Sequence, residues 1–377
     1  MKSSMHVAAG LVLAAVSSPL SRPALAEGLA AQVTAPVPTW QGQQYAGADD
    51  KGRAFVLRPK EFLVYPLVDG ELGEPVELER GAVSTPVPVL DAAIDGPRDW
   101  VALFGGEVRW IRAGKEETLP ELPWSPAAVA LLDGRPVVAV YPNPVGRRTE
   151  RELRTVPLLM TPNRSDWSIL VESARQEPAR GEARSAARVA DAVRLFTDSR
   201  DTLWLASTYR YRLAHYSAAG DELLVLEVGG AEIRHRDEAE VEELRVSLEE
   251  ERARYSDPTK ARIAVNTAIP AILDLAEGRD GMIYLLVTGE ADDDGGWALD
   301  RFNAVTGVLE RTPLATSLPG VVSIAAAKDG LYLVPFNGQT RRLLIPWQAI
   351  EDAEWQSVEG ATLNGQEVKI GGRGTGG

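Results

Sequence analysis

The stretch "LFTDSRDTLWLASTYRYRLAHYSAAGDEL" runs from Leu195 to Leu223. It reads as a strand, a polar turn at Asp198–Asp201, two further apolar-aromatic runs, and a second turn ending in Gly220. Asp and Gly tolerate the positive φ that tight hairpins often require, and runs such as "TLWLAS" are rich in residues that suit a pleated surface. If the chain repeats this pattern, its architecture is set.

Five further segments repeat it. They are Tyr45 to Leu78, Val89 to Leu119, a unit beginning at Ala127, Ala271 to Leu314, and Val321 to Trp347. Aligning the first turn of each gives Gly52, Gly96, Gly134, Asp201, Gly281 and Gly330, at intervals of 44, 38, 67, 80 and 49. Three intervals fall near the roughly 40–50 residues of a four-stranded propeller blade. The two long ones contain insertions, at about 142–187 and 231–264. "MIYLLV", "TLWLAS" and "LYLVPF" are almost wholly apolar rather than alternating, as expected of strands covered on both faces. The sequence therefore predicts an all-β fold, a six-bladed β-propeller with one helical insertion, over residues 30–370. Ring closure needs strands from both ends, and either Ala30–Trp40 or Ala361–Ile370 could complete the last blade. Residues 371–377, "GGRGTGG", read as a flexible tail.

"DSRDTLWLASTYRYRLAHYSAAGDEL" and "EGRDGMIYLLV…WALDRFNAVTGVLE" resemble blades of the NHL-repeat and TolB-like six-bladed propellers. Those blades commonly read Asp-x-x-Gly-x-aromatic-apolar, followed by an aromatic-Asp-x-x-Gly turn. The third and last units match loosely. The resemblance implies the fold and little about activity, because propellers host unrelated chemistries.

The N-terminus predicts export. Met1–His6 carries one Lys and no acid, and "VAAGLVLAAV" is an apolar run of about ten residues, in the range of a secretory signal. "ALA" at Ala24–Ala26 fits a cleavage site, which makes residues 1–26 a signal peptide and Glu27 the new N-terminus. The run is short of the roughly twenty residues that span a bilayer, so no membrane insertion is expected after cleavage. Cleavage leaves 38 basic against 54 acidic residues, a formal charge of −16. Nucleic acid and anionic lipid both require basic surfaces, so neither is an expected partner. The expected location is the periplasm or the extracellular space.

Residues 235–256, "HRDEAEVEELRVSLEEERARYS", form the one clear helical segment. Val241, Leu244 and Leu248 give it a narrow apolar stripe, and Glu240–Arg245 and Glu250–Arg254 are candidate pairs. It reads as a solvated helix on a propeller face, as a lid over the channel mouth, or as a partner-docking helix.

The chain has no Cys, and only His215 and His235 survive cleavage, which excludes thiolate chemistry and makes zinc, copper and haem sites implausible. His215 reads as a surface strand residue, and a Ser-His-Asp triad has no supporting elbow motif. Asp49, Asp50, Asp95, Asp133, Asp198, Asp201, Asp280 and Asp329 recur at turns, where side chains bond nearby backbone N–H groups. Asp292, Asp293 and Asp294 form the densest acidic loop, the candidate for calcium, although a solvated hairpin tip explains them as well. Six-bladed lactonases imply a Glu, Asn and Asp metal set; Asn266, Asn303 or Asn337 could supply the Asn, but no pattern aligns. Trp100, Trp110, Trp204, Tyr209, Tyr211 and Trp297 read mostly as core. No catalytic residue and no cofactor are assigned. The expectation is a non-catalytic scaffold that binds a protein or envelope ligand through one face. The alternative is a calcium-type hydrolase with carboxylates in its channel.

Overall fold

The computed structural model describes residues 29, 32–33, 43–68, 71–77, 89–104, 107–141, 157–163, 165–172, 193–229, 233–252, 268–288, 297–315, 322–335 and 342–368. These residues form six antiparallel sheets in a ring, a six-bladed β-propeller. Blade 1 is β2 (Tyr45–Ala48), β3 (Ala54–Arg58) and β4 (Leu63–Val68), edged by β5 (Glu71–Leu72) and β6 (Val76–Glu77). Blade 2 is β7 (Val89–Gly96), β8 (Asp99–Phe104), β9 (Glu107–Arg112) and β10 (Lys115–Glu117). Blade 3 is β11 (Ser125–Leu132), β12 (Arg135–Tyr141), β13 (Leu158–Asn163) and β14 (Asp166–Val171). Blade 4 is β15 (Val193–Thr197), β16 (Leu203–Ser207), β17 (Arg212–Tyr216) and β18 (Glu222–Val228). Blade 5 is β19 (Ile272–Glu277), β20 (Ile283–Thr288), β21 (Trp297–Asn303) and β22 (Val308–Leu314). Blade 6 is β23 (Val322–Ala326), β24 (Gly330–Pro335) and β25 (Leu343–Pro346).

The long interval before blade 4 is thus only partly an insertion, because β13 and β14 fall within residues 142–187 and complete blade 3. β13 resumes the blade at Leu158.

The apolar runs are explained by the packing. Six buried clusters lie one in each gap between neighbouring blades, including the gap between blades 6 and 1. In β8, Trp100, Ala102 and Phe104 pack toward blade 1, while Val101 and Leu103 pack toward blade 3. In β20, Tyr284 and Leu286 face blade 6, while Ile283, Leu285 and Val287 face blade 4. Side chains alternate across a strand, so a strand sandwiched between two blades buries both sets and loses the polar-apolar alternation of a half-exposed strand.

The ring is closed from the N-terminal side. β1 (Gln32–Val33) pairs antiparallel with β25 as the outermost strand of blade 6, and Leu29 bridges to Leu314 of blade 5. All these contacts lie beyond Ala26, so a cut at that point would leave the latch intact. The C-terminal alternative has another place. After a short second helix, Trp347–Asp352, β26 (Gln356–Ser357) extends blade 5, and the hairpin of β27 (Ala361–Leu363) and β28 (Gln366–Glu367) extends blade 4. Asn364 fastens that hairpin by exchanging bonds of 2.8 Å with the Val225 backbone.

The inserted helix α1 spans Glu238–Arg252. Asp237 and Glu240 form a reciprocal cap, Asp237 Oδ1 accepting from the Glu240 N–H at 2.8 Å and Glu240 Oε2 from the Asp237 N–H at 3.1 Å. Arg245 pairs with Glu242 and Glu249, not with Glu240, which is engaged in the cap. Val241 is half-buried and Val246 exposed; the side chains of Leu244 and Leu248, and all of Arg254, lie outside the described residues. The segment is anchored where Arg234 bonds Thr288 and His235 bridges Ala268, at the end of blade 5 away from the Glu277–Gly281 turn. No described helix is long and apolar enough to cross a membrane. Deleting Asp237–Ser256 should shift the thermal midpoint by under about 2 °C, since an exposed helix held by surface ion pairs contributes little. A much larger drop in a melting curve would show that α1 packs on the ring.

Candidate functional site

The innermost strands β2, β7, β11, β15, β19 and β23 surround a central channel. One position on each, four residues before its first turn, faces the next blade: Tyr45, Asp91, Ala128, Arg194, Asp274 and Ser323. Asp91 Oδ2 accepts from the Val129 N–H at 3.0 Å, and Asp274 Oδ2 from the Ile324 N–H at 2.9 Å. Ser323 Oγ accepts from the Ala46 N–H at 3.0 Å, the Tyr45 hydroxyl donates to the Val89 carbonyl at 3.3 Å, and Arg194 Nε donates to the Leu273 carbonyl at 3.3 Å. Five of the six blade junctions are therefore tied by a side chain. At the sixth, Ala128 has nothing to donate or accept. The ladder slips by one residue at Val89/Asp91 and at Ile272/Asp274, and each bulge re-aims the aspartate that follows it.

Arg194 also reaches across blade 3. Its Nη1 lies 3.2 Å from Asp91 Oδ1, giving an ion pair at the floor of the channel. Burial pushes Asp91 up to about 6, against the pull of the Arg194 guanidinium and the Val129 N–H. Asp274 is raised by burial too, with Arg194 and the N–H groups of Ile324 and Leu275 opposing. Burial acts to lower the Arg194 pKa, but the Asp91 and Asp274 carboxylates outweigh it and hold the guanidinium charged.

Above this floor the channel opens into a cavity of about 1300 Å³ bounded by the first turns of the blades. Asp50, Asp95, Asp133, Asp201 and Asp280 stand there, with Lys51, Arg279 and Lys328 as counter-charges. Asp95 is raised, first by partial burial and then by repulsion from Asp99, Asp50, Asp201 and Asp49. Carboxylates from blades 1, 2 and 4 thus feel one another across the mouth. The helix α1 leaves from the opposite end of the blades, so the lid expectation does not hold for this mouth.

Solved structures resemble the chain in fold alone. A Bacteroides thetaiotaomicron protein of unknown function superposes with a TM-score of 0.47 at 8% identity, over 85% of this chain and 75% of that one. Virginiamycin B lyase from Staphylococcus aureus gives 0.42 at 12% identity, over 87% and 89%. YCF48 bound to D1 peptide gives 0.41 at 10% identity, over 86% and 98%. No family model and no curated protein matches. The assignment of the fold rests on the strand order described above.

Several aspartates expected at turns do cap them. Asp49 Oδ1 accepts from Lys51 and Arg53 N–H, Asp198 Oδ1 from Arg200 and Thr202 N–H, and Asp280 Oδ1 from Met282 N–H. Asp329 instead binds the Tyr332 hydroxyl. Asn303 caps an outer hairpin through the N–H groups of Val305 and Thr306. Asp292, Asp293 and Asp294, with Asn266 and Asn337, lie outside the described residues. Trp100, Trp204, Tyr209 and Tyr211 are core as expected, while Trp110 and Trp297 are half-buried.

His215 is a correction. It is 5% exposed, not a surface residue, because strand pairing sets it opposite Trp204 and the two rings stack at 3.8 Å and 6°. Asp198 Oδ2 accepts from Trp204 Nε1 at 3.1 Å and from the Thr202 hydroxyl at 2.7 Å. Thr202 gives its one proton to Asp198, so at 2.5 Å it accepts from His215 Nε2. That fixes the neutral Nε2–H tautomer. Burial lowers the His215 pKa, and Nδ1 is buried with no partner among the described residues. Asp198 is pushed up by burial, but the bonds from Thr202, Trp204 and Arg200 prevail and hold it below its ordinary value. The network ties strands together within blade 4.

The channel residues Asp91, Arg194 and Asp274 escape a motif search, since no two are neighbours in sequence. The available signal is their place in the repeat: Asp91 stands five residues, and Arg194 and Asp274 seven, ahead of the turn positions that the repeat alignment marks.

Proposed function

We propose that this protein is an exported, non-catalytic propeller that binds a protein or envelope ligand through the face carrying the first turns of the blades. The observation that carries this reading is the cavity of about 1300 Å³ that opens between those turns over the Asp91–Arg194 pair. Ligand pockets concentrate polar groups in such concavities, and a rigid ring holds them in place. The floor groups are engaged in tying blades, which favours binding over proton transfer. Export rests on the "ALA" segment at Ala24–Ala26 and the apolar run before it. The test is site-specific photo-crosslinking in the producing cell. A crosslinker at Asp133, in the mouth, should capture a defined partner, and one at Val305, on an outer hairpin, should not. The captured chain should begin at Glu27. Equal capture from both positions, or none from Asp133, would overturn the assignment of the face.

The calcium-type hydrolase reading depends on Asp292, Asp293 and Asp294. Among the described residues no group of three or more His, Asp or Glu side chains is placed to hold a metal ion. A thermal-shift experiment separates the two. The scaffold reading expects midpoints in calcium and in EDTA to agree within about 1 °C. A calcium-dependent rise of several degrees would require tight binding to the folded state and would favour the metal reading.

A further inference from the structure

We propose that the channel receives an alkylammonium group, from a free polyamine or from a lysine side chain of a partner, which enters through the acidic mouth and stops against the Asp91–Asp274 floor. This inference rests on the reading of the mouth as the binding face, and adds the chemistry of what it takes. The floor itself is the first observation. Two carboxylates there, Asp91 buried and Asp274 half-buried, share one guanidinium, so the floor carries one uncompensated negative charge when both are ionised. A carboxylate offers about four acceptor sites. Asp274 uses one on each oxygen, for the N–H groups of Leu275 and Ile324, and the Ser323 side chain takes a third.

The second observation is Arg194. The chain already lodges a guanidinium cation of its own in this channel, bonded to the Asp91 carboxylate and the Leu273 carbonyl. The environment therefore suits a cation with N–H donors, and the charge that remains when both carboxylates are ionised calls for a second one. The third observation is the path. Asp50, Asp95 and Asp201 come from three different blades, and repulsion from Asp50 and Asp201 helps raise Asp95. A cleft lined by one sign of charge between low-dielectric walls focuses the field and raises the local concentration of the opposite charge. Lys51, Arg279 and Lys328 stand on the rim and reduce this field without cancelling it. An acidic ligand would meet repulsion in the mouth and find no unshared cation at the floor.

The experiment is isothermal titration of the mature chain with spermidine, with hexalysine and with hexaglutamate, at low and at high salt. The comparison variant is D50N/D95N/D201N, three solvent-facing residues outside the floor whose replacement should leave the melting midpoint in place. Saturable binding of an amine that weakens about tenfold in the variant, and also weakens with salt, is the expected result. Binding of spermidine assigns the free polyamine; binding of hexalysine that spermidine does not displace assigns the side chain of a partner. No binding of either amine, or equal binding by the variant, overturns the proposal. If the Asp133 crosslink forms while neither amine binds, the face is right and the ligand class is wrong. If amines bind and weaken in the variant while no crosslink forms, the ligand class is right and the protein partner is wrong.

Discussion

An Arg194→Ala variant should lose about 3 kcal/mol of stability at pH 7.5, because it leaves the Asp91 carboxylate buried without its cation. Asp91 is 6% exposed, and its Oδ1 faces Arg194 Nη1 at 3.2 Å. The loss should depend on pH. In the intact protein burial raises Asp91 from an ordinary value near 3.8 to about 6, so between those values the folded state binds more protons than the unfolded one. Stability contributed at this site therefore falls as pH rises through that window and returns on acidification. Without Arg194 the opposing pull disappears, the Asp91 pKa rises further, and the deficit widens at pH 7.5 relative to pH 5. The double variant R194A/D91N, which keeps an oxygen for the Val129 N–H but removes the stranded charge, should recover a large part of the loss. Urea unfolding midpoints at the two pH values measure this. A deficit under about 1 kcal/mol, or one equal at both pH values, would mean that solvent in the channel screens Asp91 well enough to make the pair dispensable.

Trp204→Ala should cost about 3–5 kcal/mol, the range for emptying a fully buried aromatic site. Trp204 has no exposed surface, stacks on His215, meets the Phe302 ring of blade 5 edge-on at 6.3 Å, and donates to Asp198. The substitution opens a cavity at the junction of blades 4 and 5 and removes one bond to a buried carboxylate. Trp204→Phe keeps most of the packing and should lose only about 1–2 kcal/mol, the worth of the hydrogen bond to a charged acceptor. His215 adds acid sensitivity. Its folded pKa lies below its ordinary 6.5, so the unfolded chain takes up protons that the folded one refuses, and stability at this site falls as pH drops through 6.5. Asp91 acts in the opposite direction, so the two are resolved only in single variants. Chemical denaturation of W204A and W204F, followed by circular dichroism, gives both figures. A W204A variant within 1 kcal/mol of the parent would show that the blade junction closes over the gap.

Much of this architecture was legible in the chain because its causes are local. A tight turn needs Asp or Gly wherever it occurs, so Gly52, Gly134, Asp201 and Gly281, all at positive φ, could be recognised one by one and counted. The unbroken apolar runs of β8, β16, β20 and β24 reported burial on both faces, and that condition with six repeats leaves a ring as the economical arrangement. Cysteine and histidine content limited the chemistry before any contact was known. The inner residues of Trp100 and Trp204 type followed from the same runs.

What sequence reasoning missed depends on distance along the chain. His215 looked superficial because strand polarity does not reveal which ring will lie over it; only the pairing with Trp204 buries it. The closing strand was ambiguous because Gln32–Val33 and Ala361–Leu363 are both short and β-compatible. Their partners, 310 residues away in the pair Val33↔Leu343 and 137 in the pair Leu226↔Leu363, exist only once the ring forms.

 In register, Gln32 stands opposite Leu344 and Val33 opposite Leu343, whereas Leu363 stands opposite Leu226 and Ala361 opposite Val228.

The channel floor is the clearest case. Asp91, Arg194 and Asp274 are far apart in sequence, and each alone reads as an ordinary polar residue near a turn. Ring closure brings their strands around one axis, and the bulges before Asp91 and Asp274 turn both carboxylates toward the neighbouring blade. Their altered proton affinities follow from that burial and from one shared guanidinium. Turn chemistry and strand burial act over a few residues and are written in the chain; the meeting of charges at the axis is a property of the closed ring.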